Sequence, residues 1–184
     1  MKKVIAFIGS PRKNGNTSSI IGEIVRGAKE AEAETKVYTL NDMNIKPCQS
    51  CFFCRKEEAC AIKDDMQSVY EDIKDADAVV IGSPVYMLQV TAQTKLLFDR
   101  LFPIMDTSFK PRFGIKKTVI VYSQGNPDAD AFKTSFETNA NVLNVMGLNV
   151  VDTIISAGAN DAKTSSSNAN LMTKAFQVGK KLFE

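Results

Sequence analysis

The sequence contains no histidine and no tryptophan. Without histidine there is no Ser-His-Asp triad, no Cys-His dyad, no His-ligated metal and no haem with a histidine ligand. Chemistry at neutral pH therefore falls to other groups or to a bound cofactor. Long apolar runs are missing as well: no stretch reaches the roughly 18 residues that a membrane helix needs. The run Val4–Ile8 stops at Gly9-Ser10-Pro11-Arg12, which is short for a signal h-region and has no small-residue cleavage site behind it. These features predict a cytoplasmic protein without membrane contact. An excess of one charge is absent too. The 23 basic and 21 acidic residues leave a net charge of +2, too balanced to point to nucleic acid. Cysteine is sparse, and all four cysteines fall in one short segment.

What remains suits a soluble α/β chain, and residues 1–184 are expected to form one domain. A chain of this size buries about 70% of its unfolded surface and needs no disulfides. Near-continuous apolar runs at Lys3–Ile8, Ala78–Gly82, Thr118–Tyr122 and Val150–Ile155 read as strands buried on both faces of a parallel sheet. Thr35–Leu40 alternates and reads as an edge strand. Between the runs lie apolar stripes at helical spacing. They are Ile20/Ile21/Ile24/Val25/Ala28, Met66/Val69/Tyr70/Ile73, Leu96/Leu97/Leu101/Phe102, Phe132/Phe136/Leu143/Met146 and Leu171/Ala175/Val178/Leu182. Asp64 or Asp65 supplies an N-cap for the second stripe. Strands alternating with helices predict a doubly wound α/β fold with right-handed crossovers. Two segments interrupt the alternation: Asn41–Lys63, which holds the cysteines, and Met105–Ile115. Loops that long in a compact domain are functional or disordered.

The first strand runs into Gly9-Ser10-Pro11-Arg12-Lys13-Asn14-Gly15-Asn16-Thr17-Ser18-Ser19, with a helix expected from about Thr17. Glycines, hydroxyls, two cations and the free N–H groups of a helix start make a phosphate cradle. The dinucleotide fingerprint G-x-G-x-x-G is absent. A Walker A loop is absent too, since Gly15 is one position late and Asn16 stands where its lysine belongs. An ordinary polar loop with an N-capping threonine is the plainer reading. Ligands of open α/β sheets lie at the carboxyl ends of strands. There the third and fourth strands lead into Ser83-Pro84-Val85-Tyr86-Met87-Leu88-Gln89 and Ser123-Gln124-Gly125-Asn126-Pro127, each mixing apolar walls with amides and hydroxyls.

The Gly9–Ser19 loop, the Ala76-Asp77-Ala78…Ser83-Pro84-Val85-Tyr86 segment and the Gln124-Gly125 loop resemble those of the NADPH-dependent FMN reductases and iron–sulfur flavoproteins of the flavodoxin superfamily. The resemblance runs over essentially the whole chain. It implies a flavodoxin-like three-layer α/β/α fold with a five-stranded parallel sheet in the order 2-1-3-4-5. It implies FMN with its phosphate held by Ser10, Arg12, Asn16, Thr17 and Ser18. It implies flavin-ring and ribityl contacts from Pro84, Val85, Tyr86, Met87, Ser123, Gln124 and Gly125. No side chain is then needed as a catalytic acid or base, because FMN carries the chemistry. Assembly as a homodimer or homotetramer is implied as well.

Cys48, Cys51, Cys54 and Cys60 form C-x2-C-x2-C-x5-C. Closely spaced thiolates suit a [4Fe–4S] cluster, and the spacing resembles that of iron–sulfur flavoproteins. Structural zinc, a redox disulfide and free thiols remain open alternatives. Phe52 and Phe53 are expected to shield such a cluster or to pack locally, and Lys46, Arg55, Lys56 and Lys63 to offset its charge. The function that follows is an FMN-dependent oxidoreductase relaying single electrons between a [4Fe–4S] cluster and FMN, with ferredoxin or NAD(P)H as donor. Its acceptor would be a quinone, an oxygen species or free flavin. A cluster-free NAD(P)H-dependent FMN or quinone reductase is the alternative, and a flavin-free zinc or thiol redox switch a further one.

Overall fold

The computed structural model describes Met1 to Glu184. In chain order the elements are β1 (Lys3–Ile8), α1 (Asn16–Glu30), β2 (Glu34–Thr39), α2 (Met66–Asp75), β3 (Ala78–Tyr86), β4 (Gln89–Val90), α3 (Ala92–Arg100), β5 (Lys116–Ser123), α4 (Lys133–Val145), β6 (Leu148–Ser156) and α5 (Ala169–Lys180). The strands order as β2-β1-β3-β5-β6, all parallel, with the two-residue β4 paired antiparallel to β3. Leaving β4 aside, this is the expected 2-1-3-4-5 order. No helix is long and apolar enough to cross a membrane.

Successive strand residues face opposite sides, so a strand that is apolar throughout feeds two cores. Ile5, Phe7, Val79, Ile81, Ile120 and Tyr122 pack against α2, α3 and α4. Val4, Ala6, Ala78, Val80, Val119 and Val121 pack against α1 and α5. Each helix turns its apolar stripe inward: Ile20, Ile21 and Ile24 of α1 are fully buried, as are Met66, Val69 and Ile73 of α2. The result is three layers, with the carboxyl ends of β1, β3, β5 and β6 opening onto one edge.

The end of β3 differs from expectation. β3 continues through Ser83–Tyr86, where the turn-forming residues predict a loop. Ser83 and Pro84 stay in register with Tyr122 and Ser123 of β5, and Val85 then pairs with Val90 of β4. Burial of Val90 holds that small hairpin down. At α2, Asp65 occupies the cap position, but it is Asp64 Oδ1 that accepts the Met66 amide, at 3.1 Å. The two irregular insertions pack on one another. Arg55 of the cysteine segment lies between the rings of Phe102 and Phe109, 4.7 and 4.3 Å from their centroids. It donates to the carbonyl oxygen of Asp106 at 2.6 Å. Arg112 returns the contact, donating to Cys54 O at 3.3 Å and Met105 O at 2.9 Å.

Candidate functional site

The loop after β1 is held by close backbone approach. The Gly9 amide donates to Gly82 O at 2.7 Å, and Thr91 Oγ1 donates to Gly9 O at 2.7 Å. A Cβ on Gly9 would lie 1.9 Å from Thr94 Oγ1, and one on Gly82 would lie 2.5 Å from Ile21 Cδ1. Glycine at both positions lets β1, β3, α1 and α3 converge beneath the loop. The loop then turns on Ser10, whose hydroxyl accepts from the Arg12 amide at 3.1 Å. Gly15 caps α1 with no side-chain hydrogen bond, so the capping threonine of the plainer reading is not found. The first helical hydrogen bond is Ser19 N–H to Gly15 O, which leaves the amides of Asn16, Thr17 and Ser18 without a helical partner. They lie at the positive end of a 15-residue helix. The exposed Arg12 guanidinium beside them makes no hydrogen bond or ion pair. Free amides, a helix terminus and an unengaged cation together fit a phosphate dianion.

The side chains that resemblance assigned to the phosphate fall into two groups. Ser10, Arg12 and Ser18 ring the loop, with Ser18 Oγ donating to Arg12 O at 3.0 Å. Asn16 and Thr17 are buried and already engaged. Asn16 Nδ2 donates to Asp161 O at 2.8 Å and Ala159 O at 3.2 Å, and its Oδ1 accepts from the Ser165 amide at 2.8 Å. Thr17 Oγ1 lies 2.8 Å from Ser123 Oγ. What these two residues can offer a ligand is their backbone N–H.

The second wall comes from β3 and its hairpin. Pro84 and Val85 are half-buried, Tyr86 is 46% exposed and Met87 is 93% exposed. Met87 and Leu88 both adopt positive φ, +46° and +69°. A two-residue hairpin loop normally places Asn-Gly there. Two bulky residues in this conformation are strained, and such strain collects at binding sites. The third wall is Ser123-Gln124-Gly125. Gln124 is buried, and its Nε2 donates to Asp128 O at 2.6 Å, while Oε1 is buried without any partner. An unmet buried acceptor at a strand end suits a ligand that brings an N–H or O–H.

Sequence reasoning missed the loop after β6. Residues 156–165 close the site: the Gln124 amide donates to Ser156 O, the Ala159 amide to Gln124 O and Asn160 Nδ2 to Gly125 O. Ser156 Oγ and Ser165 Oγ are 2.7 Å apart. The signal was available, because Ser156-Ala157-Gly158-Ala159-Asn160 also follows the carboxyl end of a strand.

The four cysteines carry free thiols. Cys48 and Cys51 are exposed, Cys54 is half-buried and Cys60 is buried. All four line one cavity of about 660 Å³ beside α3 and α4. No three of them converge closely enough to hold a metal ion. Burial pushes the Cys54 thiol up, with the neighbouring Cys60 and Cys48 adding to the effect. Softness of the donors and their number fit an iron–sulfur group, and closing around it would require the exposed Cys48–Cys51 stretch to move. Phe52 and Phe53 are 59% and 40% exposed and do not shield the thiols. Of the cations expected nearby, Arg55 is committed to the 105–107 backbone. The cation that reaches a cysteine sulfur is Arg100, whose Nη2 is 3.4 Å from Cys60 Sγ.

A doubly wound parallel sheet in this strand order, with an anion-receptive loop after β1, defines a flavodoxin-like fold class. Comparison with known proteins narrows this. The sequence profile of the NADPH-dependent FMN reductase family matches residues 2–162, and the chain belongs to that family. An iron–sulfur flavoprotein of Methanocaldococcus jannaschii is 40% identical over 102 residues, 55% of this chain and 53% of that one. The chain thus spans about half the length of the first curated relatives it matches. One iron–sulfur flavoprotein of Archaeoglobus fulgidus is 28% identical over 184 residues, 99% of this chain and 79% of the relative. Among solved structures, an NAD(P)H:quinone oxidoreductase from Methanothermobacter marburgensis superposes with a TM-score of 0.78 at 20% identity, covering 100% of this chain and 96% of that one. At that identity the likeness concerns the fold.

Proposed function

We propose that this chain is an FMN-dependent oxidoreductase that seats FMN along the carboxyl ends of β1, β3 and β5. The observation that carries the reading is the start of α1: unpartnered amides at Asn16, Thr17 and Ser18 beside the unengaged Arg12. The loop anchors the phosphate, with Ser10 and Ser18 supplying hydroxyls. Pro84, Val85, Tyr86 and Met87 flank the ring, and on the far wall, between Ser123 and Gly125, Gln124 offers its unpartnered Oε1. FMN, when bound, accepts an electron pair as hydride and releases electrons singly or in pairs. The protein's part is to orient the ring, exclude water from one side of it and supply fixed dipoles, which agrees with the lack of histidine.

Cys48, Cys51, Cys54 and Cys60 are the proposed holders of a [4Fe–4S] cluster. A cluster there would supply one-electron transfer, and the iron–sulfur flavoproteins among the relatives support it. Reduced ferredoxin is the donor consistent with that version. NAD(P)H reduction of a quinone or free flavin is the second version, favoured by the dispersed state of the thiols. Self-association is also proposed, with the exposed apolar tip Met87-Leu88 as a contact.

Anaerobic purification followed by flavin, iron and acid-labile sulfide analysis tests the reading. Equimolar FMN with iron and sulfide supports the relay. Equimolar FMN without iron, bleached by NADPH, supports the cluster-free reductase. A colourless protein that takes up no FMN overturns both.

A further inference from the structure

Arg100 ends α3 on its apolar face, beside Leu97, Phe98 and Leu101, and is 1% exposed. A cation there is costly unless it is matched. Its match is Asp64, whose side chain is also fully buried: Nη1 lies 2.6 Å from Oδ2 and Nη2 lies 3.0 Å from Oδ1. The pair also grips the backbone where the cysteine segment begins. The Lys46 carbonyl accepts from Arg100 Nη1 at 2.7 Å, and the Lys46 amide donates to Asp64 Oδ2 at 2.9 Å. Lys46 precedes Cys48 by two residues, and Asp64 follows Cys60 by four. One ion pair therefore clasps the entry and the exit of the segment that carries every thiol.

The guanidinium has a further edge. Nη2 donates toward Cys60 Sγ at 3.4 Å, and Nε, on that same edge, is buried with no acceptor. Arg100 lines the cavity shared by the four cysteines. Native proteins seldom leave a buried donor unmet, and those they do leave mark sites where another partner arrives.

We infer that Arg100 is the positioning residue of the cysteine site: it clasps both ends of the cysteine segment and turns an N–H edge on the Cys60 sulfur, favouring the reduced state of a group held there. The clasp stands on this chain's own contacts; the bias on reduction rests on the cluster reading above. One-electron reduction adds a negative charge without making or breaking a bond. Hydrogen bonds to ligand sulfur stabilise the added charge.

The test uses the Arg100→Gln/Asp64→Asn double variant, which removes both buried charges together, and with them the guanidinium fork and its N–H edge on Cys60. In metal-free protein, iodoacetamide labelling is read cysteine by cysteine by mass spectrometry. Wild type should label Cys60 far more slowly than Cys51, and the double variant should close the gap. In anaerobically reconstituted protein, a dithionite titration with mediators should show the one-electron reduction constant of the cysteine-bound group falling about tenfold, or 59 mV, with the flavin couple unmoved. An unchanged labelling gap overturns the clasp, and an unchanged potential overturns the bias. If the double variant fails to fold, Arg100→Lys keeps the charge and loses the fork: Cys60 labelling should quicken and the potential should fall, slow labelling there overturns the clasp, and an unmoved potential overturns the bias. Wild-type protein that takes up no iron refutes the cluster reading and the bias with it, while labelling still decides the clasp.

Discussion

Replacing Asn16 by alanine separates two roles that resemblance merges. The phosphate reading places the side chain on the ligand. The structure places it on the protein, with bonds to Ala159 O, Asp161 O and the Ser165 amide. Each such bond contributes about 0.5–1.5 kcal/mol, and the abandoned buried partners add a desolvation cost. Asn16→Ala should therefore destabilise the flavin-free protein by about 3 kcal/mol, three bonds at the middle of that range. For a chain of this length that is a fall in Tm of about 6–12 °C. Urea and thermal denaturation of the flavin-free variant, each set against wild type, measure it. Wild-type stability to within about 1 kcal/mol, combined with weakened FMN binding, would show that the side chain serves the ligand and refute this reasoning.

Other substitutions probe the remaining parts. Arg12→Ala removes a charge-assisted partner of about 1.5–3 kcal/mol, so the FMN dissociation constant should rise about tenfold to a hundredfold, with protein stability unchanged; flavin fluorescence titration checks it. Cys51→Ala should remove iron and acid-labile sulfide from anaerobic protein while FMN stays bound, as metal analysis beside the flavin spectrum will show. Burial pushes the Tyr122 phenol up to about 12, a hydrogen bond from Asn139 opposing the shift. The fold thus favours the protonated phenol. Its contribution of about 2–3 kcal/mol is complete below about pH 10, the unfolded value, and is lost as pH rises toward about 12. Tyr122→Phe should flatten the alkaline loss of stability over that window, measured by urea denaturation across pH.

The sheet was legible in the sequence because its strands are buried on both faces and read as apolar runs without alternation. β3 was read short because Ser83 and Pro84 look like turn residues, whereas register with β5 keeps them in the strand. The phosphate loop was legible as a segment, but its division of labour was not. Asn16 and Thr17 have the right chemistry for a ligand and were engaged by Ser165 and Ser123, far away in sequence. The clasp was illegible for a similar reason. Asp64 stands beside Asp65 as a candidate helix cap, and Arg100 falls silently on an apolar stripe. A charge at a position whose neighbours at helical spacing are buried is the signal that would have found it.

The central claim is that the carboxyl edge of this sheet binds a mononucleotide flavin through the start of α1. Titration of the flavin-free protein with FMN and, separately, with riboflavin, followed by quenching of flavin fluorescence, tests it most directly. Saturable, equimolar binding of FMN, with riboflavin bound far more weakly for want of the phosphate, is the predicted result. Equal affinity for the two flavins, or no quenching by either, would contradict it.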